Sequence, residues 1–245
     1  MKTHGRVLMT LEARDELRFG FVEMLFALTA AEIALQAADV VKNFETDLVA
    51  LPAYTHLMFA TILVATSWVG WLKSKAPGNR APLDSVFSAA FIVLLVDVFL
   101  VICYFIVVKG VDIQRVGDTI IRIVPSSANE TFWSMIIFCV YFLWDILTKA
   151  VIVPADERNK RIWRRLIGKN LWDRAWITTV CLLIAFALWL TTRTFTNAFS
   201  VVAVDVALVA LVLLFRALKE NSRKWASAMA VLLIAMTIAG LKLQP

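Results

Sequence analysis

Seven apolar stretches fix what this chain can become, each close to the roughly 20 residues that a bilayer core of about 30 Å demands of a helix. They run Phe19–Val41, Tyr54–Leu72, Ser85–Val108, Phe132–Val153, Trp176–Thr192, Ala198–Leu218 and Trp225–Leu241. With 60% hydrophobic and only 18% charged residues over 245 positions, little chain is left for a soluble domain. A backbone in hydrocarbon must satisfy its own hydrogen bonds, and a helix does so within one segment. The expected fold is therefore all-α: one polytopic transmembrane bundle, 1–245, with seven spans. Pro52 precedes the second span, Pro82 and Asp84 mark the start of the third, and Pro154 closes the fourth.

Lysine and arginine placement predicts orientation. With a cytoplasmic N-terminus, the inside segments carry eighteen of these residues and the outside segments six. An odd span count then puts the C-terminus outside. The net charge of +6 follows largely from this bias and needs no nucleic-acid partner. The first eighteen residues hold Glu12, Asp15 and Glu16 and lack an apolar core, which argues against a cleaved leader or transit peptide. Compact loops lean the expected location towards a bacterial inner membrane. Cys103, Cys139 and Cys181 all fall inside spans and read as small buried hydrophobes.

The first span carries acids where acids are expensive. At about 100° per residue, Thr29, Glu32, Gln36 and Asp39 share one side of the helix. Ala27, Ala30, Ala31, Ala34 and Ala38 lie mostly opposite, a surface suited to close helix contact and to a homo-oligomer. Asp97 and Asp205 sit inside the third and sixth spans at a depth they could share with Glu32. Converging carboxyl groups bind a cation or hold a proton, because like charges resist joint ionisation. Thr29, Glu32, Gln36, Asp39, Asp97 and Asp205 are thus the candidate ion pathway. In the fourth span Ser134, Tyr141, Asp145 and Lys149 form a stripe on which Asp145 and Lys149 are spaced to pair. Arg216 is too far along the sixth helix to reach Asp205, and is expected to snorkel to the inner surface.

The segment Arg158–Arg174 alternates basic residues with Ile162, Trp163, Leu166, Ile167 and Leu171 at helical spacing. It reads as an interfacial amphipathic helix on an anionic leaflet. A sharper reading makes Arg158, Lys160, Arg161, Arg164, Arg165 and Lys169 a site for an anionic cytosolic ligand, a lipid or a soluble partner. The outer loop includes Asp118–Val124, which alternates and is β-branched, as a short strand would be. Asn129-Glu130-Thr131 forms a formal glycosylation acceptor beside the membrane. His56, with no acid or cysteine at ligand spacing, reads as a hydrogen-bonded helix histidine or a pH-responsive group.

No zinc-protease helix, phosphate-binding loop or nucleophile elbow occurs, so neither enzyme nor cofactor is expected. Seven spans invite comparison with microbial rhodopsins, but the last span, WASAMAVLLIAMTIAGL, has no lysine for retinal. Arg18, Phe21 and Glu23 look like the Arg…Phe-Ser-Asp opening of the lysosomal and bacterial potassium channels. Val22 and Glu23 replace its Ser and Asp, and the spacing is one residue short, so that function is not carried over. The expectation is an ion-conducting membrane protein, a cation or proton channel formed by a homo-oligomer and gated at the basic loop. The alternatives are a non-conducting subunit that anchors a cytoplasmic partner, and an ion-coupled carrier of a small solute.

Overall fold

The computed structural model describes the backbone of residues 2–44, 50–74, 89–116, 119–151, 169–193, 195 and 197–243. Side chains are described over 20–42, 50–73, 91–110, 126–147, 175–193, 195 and 197–243. Among the described residues there are seven helices: α1 (Lys2–Phe44), α2 (Leu51–Ser74), α3 (Ala89–Lys109), α4 (Ser127–Val151), α5 (Lys169–Thr192), α6 (Ala198–Lys219) and α7 (Arg223–Lys242). Each contains a stretch long and apolar enough to cross a membrane, and the protein is an integral, multi-pass membrane protein. Between α3 and α4 an antiparallel hairpin pairs β1 (Val111–Val116) with β2 (Thr119–Pro125), its register shifting between Gln114 and Arg115. The strand anticipated at Asp118–Val124 is β2, one residue later. The hairpin marks one end of the bundle, here the hairpin face; the other end is the opposite face.

α6 is the centre. It packs against α2, α4, α5 and α7, and its apolar residues cover its whole circumference, with Ala207, Ala210 and Leu211 fully buried. A helix apolar all round can satisfy its surface only by burial or by lipid. Small side chains at 207 and 210 let neighbours approach closely, which is how helices associate where lipid is as apolar as leucine. α1 packs on α2 and α3, and α7 packs chiefly on α6. Both expose large apolar side chains outward, including Leu35 on α1 and Val231 on α7, as lipid-facing helices do.

Local chemistry sets the helix ends. Asn197 caps α6, its side chain accepting from the Phe199 amide at 3.0 Å and donating to the Leu243 carbonyl at 3.1 Å, which ties down the end of α7. At the far end Asn221 takes a left-handed φ of 57°. Its amide donates to the Leu218 carbonyl and that of Ser222 to the Ala217 carbonyl, a Schellman closure that turns the chain straight into α7.

α4 starts five residues earlier than the apolar run predicts, at Ser127 instead of Phe132. The Ser126 hydroxyl accepts from the Asn129 amide at 3.4 Å, and the Ser126 carbonyl accepts from the Glu130 amide at 2.9 Å. The extra turn is polar, so hydropathy alone leaves it out. Cys139 faces outward instead of being buried, while Cys103 and Cys181 lie inside.

Candidate functional site

The early start of α4 brings Glu130 into the bundle at the hairpin face. There it meets Thr55 and His56 from α2 and Asp205 from α6, and all but Thr55 are within 1% of complete burial. Glu130 Oε1 hydrogen-bonds His56 Nδ1. The other ring nitrogen, Nε2, lies 3.4 Å from the Val108 carbonyl oxygen, which can only accept, so Nε2 carries a hydrogen. The His56–Glu130 bond then contains one proton in either form, imidazolium against carboxylate or imidazole against carboxylic acid. Asp205 Oδ2 lies 2.5 Å from the Thr55 hydroxyl, which is also 3.0 Å from the Pro52 carbonyl. One hydroxyl hydrogen serves two acceptors here, unless a protonated Asp205 donates to Thr55 and frees it for Pro52. The Asp205 and Glu130 carboxyl groups adjoin. Asp205 Oδ1 and Glu130 Oε2 are both buried without a hydrogen-bond partner. Two neighbouring acids with an orphan oxygen each are the arrangement that a shared proton satisfies. Among the described residues, no lysine or arginine pairs with either acid.

From this cluster a polar stripe runs down α4. Ser134, one turn below Glu130, is buried with its hydroxyl unpartnered. Tyr141 and Asp145 follow at the opposite face, about 16 and 22 Å from Glu130 along the axis. Between the two ends the interior is closed by Phe59, Leu63, Ile137, Phe138 and Leu208, all buried. The lower end borders a cavity of about 240 Å³. On its wall the Tyr141 hydroxyl joins Ser67 at 2.5 Å and Tyr104 at 2.7 Å. Asp97 accepts from the Trp144 indole at 2.8 Å. Asp145 is held by Lys219 at 2.7 Å and by the Thr178 hydroxyl at 2.5 Å. Lys73 pairs with Glu220, both more than half exposed, and this pair marks the mouth.

No protein-family model, curated protein or solved structure matches the chain. Geometry and chemistry alone therefore carry the reading.

The structure distributes the expected pathway residues over three places. Asp205 lies in the hairpin-face cluster and Asp97 beside the opposite-face cavity. Glu32 is ion-paired with Lys109 of α3 at 2.6 Å and accepts from Gln36 at 3.3 Å. The three acids do not converge on one another, because each helix turns its acid towards a different neighbour. Thr29 is buried and donates to its own Leu25 carbonyl at 2.9 Å, while Asp39 is half-buried on α1. Asp145 is neutralised by a lysine, as anticipated, but by Lys219 of α6; the Lys149 side chain lies outside the described residues. The Arg216 guanidinium lies half-buried against Gly70 on the wall of the opposite-face cavity. Arg158, Lys160, Arg161, Arg164 and Arg165 lie outside the described residues, and Lys169 opens α5 with its side chain likewise outside. Glu130 is the residue that sequence reasoning passed over. Pro125 followed by Ser126, a strand end and a helix cap, is the signal that would have placed it inside.

Proposed function

We propose that this protein moves protons, or cations coupled to them, across the membrane by a route within a single chain. The observation that carries the reading is the buried His56–Glu130–Asp205 cluster, two adjoining acids and one imidazole whose hydrogen bonds admit alternative proton positions. Ionisable groups at this depth are costly and characteristically mark ion pathways and proton relays. The route follows α4, from Glu130 past Ser134 to the Tyr141 hydroxyl chain and the cavity. The apolar layer around Phe59, Phe138 and Leu208 acts as the barrier that must open for transport. Among the described residues, no group of three or more His, Cys, Asp or Glu side chains is arranged to hold a metal ion, which favours proton handling at the cluster.

A second reading keeps the route in an oligomer lined by α1. It is supported by Ala27, Ala30, Ala31, Ala34 and Ala38, all of which are exposed along one side of that helix. Flux from proteoliposomes under H⁺, K⁺, Na⁺ and Cl⁻ gradients separates the two. The intrachain route predicts loss of flux in Asp205→Asn and Glu130→Gln with Glu32→Gln near wild type. The α1-lined channel predicts the reverse. No flux in any protein under any gradient would overturn both and leave the anchoring subunit, whose partner would dock on the 158–174 segment.

A further inference from the structure

Three cations, Lys73, Arg216 and Lys219, and three acids, Asp97, Asp145 and Glu220, line the cavity at the opposite face, and Arg216 is the cation without an ion pair among the described residues. Lys73 is paired with Glu220, and Lys219 with Asp145. Arg216 makes no ion pair with, and donates no hydrogen bond to, any described residue, and its Nε is buried without a partner. Its guanidinium sits 5.4 Å from the Phe215 ring centroid and directly over Gly70. A Cβ at position 70 would stand 2.0 Å from Arg216 Nη1, so the absence of a side chain there is what gives the guanidinium its berth. A half-buried arginine in a spanning helix without an acid partner is open to an anionic ligand.

The other wall of the cavity also offers a donor. Ser67, Tyr141 and Tyr104 form a chain of three hydroxyls joined by two hydrogen bonds. Three hydroxyl hydrogens serve those two bonds, and the third either closes between Tyr104 and Ser67 or turns to an acceptor in the cavity. Phe26, Trp71 and Leu100 supply apolar wall between the donors. A fork of guanidinium donors with a hydroxyl donor nearby fits a planar or tetrahedral oxyanion, and arginine matches such groups bidentately. About 240 Å³ accommodates a small solute but not a nucleotide-sized one.

We propose that this cavity is a binding site for a small oxyanion, a carboxylate or phosphate group with at most a short apolar portion. The oxyanion seats on Arg216 and enters past Lys73 and Glu220. The site shares the cavity and the Tyr141 hydroxyl chain with the proposed proton route, but its binding is read at equilibrium whether or not the chain transports.

The test uses the full chain in phosphatidylcholine nanodiscs, titrated with inorganic phosphate and with benzoate, and read by tryptophan fluorescence, since Trp71 and Trp144 border the cavity. A second series replaces part of the lipid with phosphatidylglycerol and omits both probes. Saturable binding of either soluble probe is expected, weakened about tenfold or more in Arg216→Gln, as loss of a charge-assisted hydrogen bond implies. Gly70→Ala, which keeps the charge and displaces the guanidinium, is expected to weaken it, and the exposed Arg223→Gln to leave it unchanged. A response to phosphatidylglycerol alone, lost in both cavity variants, would support the site with a lipid headgroup as its oxyanion. No saturable response to the probes or the lipid would overturn it, as would responses equal in wild type, Arg216→Gln and Gly70→Ala.

Discussion

At the residue scale, the hairpin-face cluster and the Asp145 pair answer the same problem in different ways. Asp145 meets a full counter-charge, Lys219 at 2.7 Å, and a hydroxyl from Thr178. Removing one member of a buried pair strands the other, at a cost of about 3–5 kcal/mol, whereas replacing both by apolar groups is often near neutral. Because the Lys219 side chain is 27% exposed and Asp145 keeps other partners, the cost falls below that range. Lys219→Met is therefore expected to lower unfolding stability by about 1–2 kcal/mol, and Lys219→Met combined with Asp145→Leu to recover most of it. Equilibrium unfolding in mixed micelles measures the cycle. Asp205 has no such partner and depends on the Thr55 hydroxyl. Thr55→Val leaves both carboxyl oxygens without a donor from Thr55, and a cost of about 1–3 kcal/mol is expected in the same assay. The Glu32–Lys109 pair behaves differently because Lys109 is 54% exposed. Glu32→Gln should cost no more than about 1 kcal/mol, as for ion pairs open to solvent.

At the element scale, two short polar sequences place the long apolar ones. Ser126 adds a polar first turn to α4 and so carries Glu130 under the hairpin. Asn221 ends α6 in a left-handed turn that closes two carbonyls at once. An asparagine tolerates that φ better than most residues, glycine better still, and a β-branched residue least. Asn221→Gly is expected to be neutral or slightly stabilising, while Asn221→Val loses about 1–2 kcal/mol, read as a shift in the thermal unfolding midpoint. α6 itself shows why hydropathy found the helix but not its role. The same apolar character suits a lipid-facing helix and a central one, and only its alanines at 207 and 210 hint at close neighbours on several sides.

At the scale of the whole molecule, orientation is a proposal that rests on the basic-residue bias, with the opposite face inward. Substituted cysteines in a background lacking Cys103, Cys139 and Cys181 test it. A cysteine at Leu243 should react with a membrane-impermeant maleimide from outside intact cells, and one at Glu220 only after lysis. Reversed labelling would place the hairpin in the cytoplasm and turn the oxyanion cavity outward. The exposed alanine side of α1 belongs to this scale too, since a second copy or lipid would cover it, and cross-linking through Ala34→Cys distinguishes the two.

The sequence by itself determined the class, the number of spans and nearly all their positions, because burying about 20 apolar residues per helix is a property of each segment alone. It also placed β2 to within one residue and marked Asp205 as a group needing an explanation. The tertiary structure decided everything that depends on which helices meet. It set Glu32 on Lys109, Asp145 on Lys219 and Asp97 on Trp144, and it gathered Thr55, His56, Glu130 and Asp205 from three helices. Azimuth along one helix says which residues share a face. It does not say which neighbour that face is turned towards, and the chemistry of a buried charge depends wholly on that neighbour.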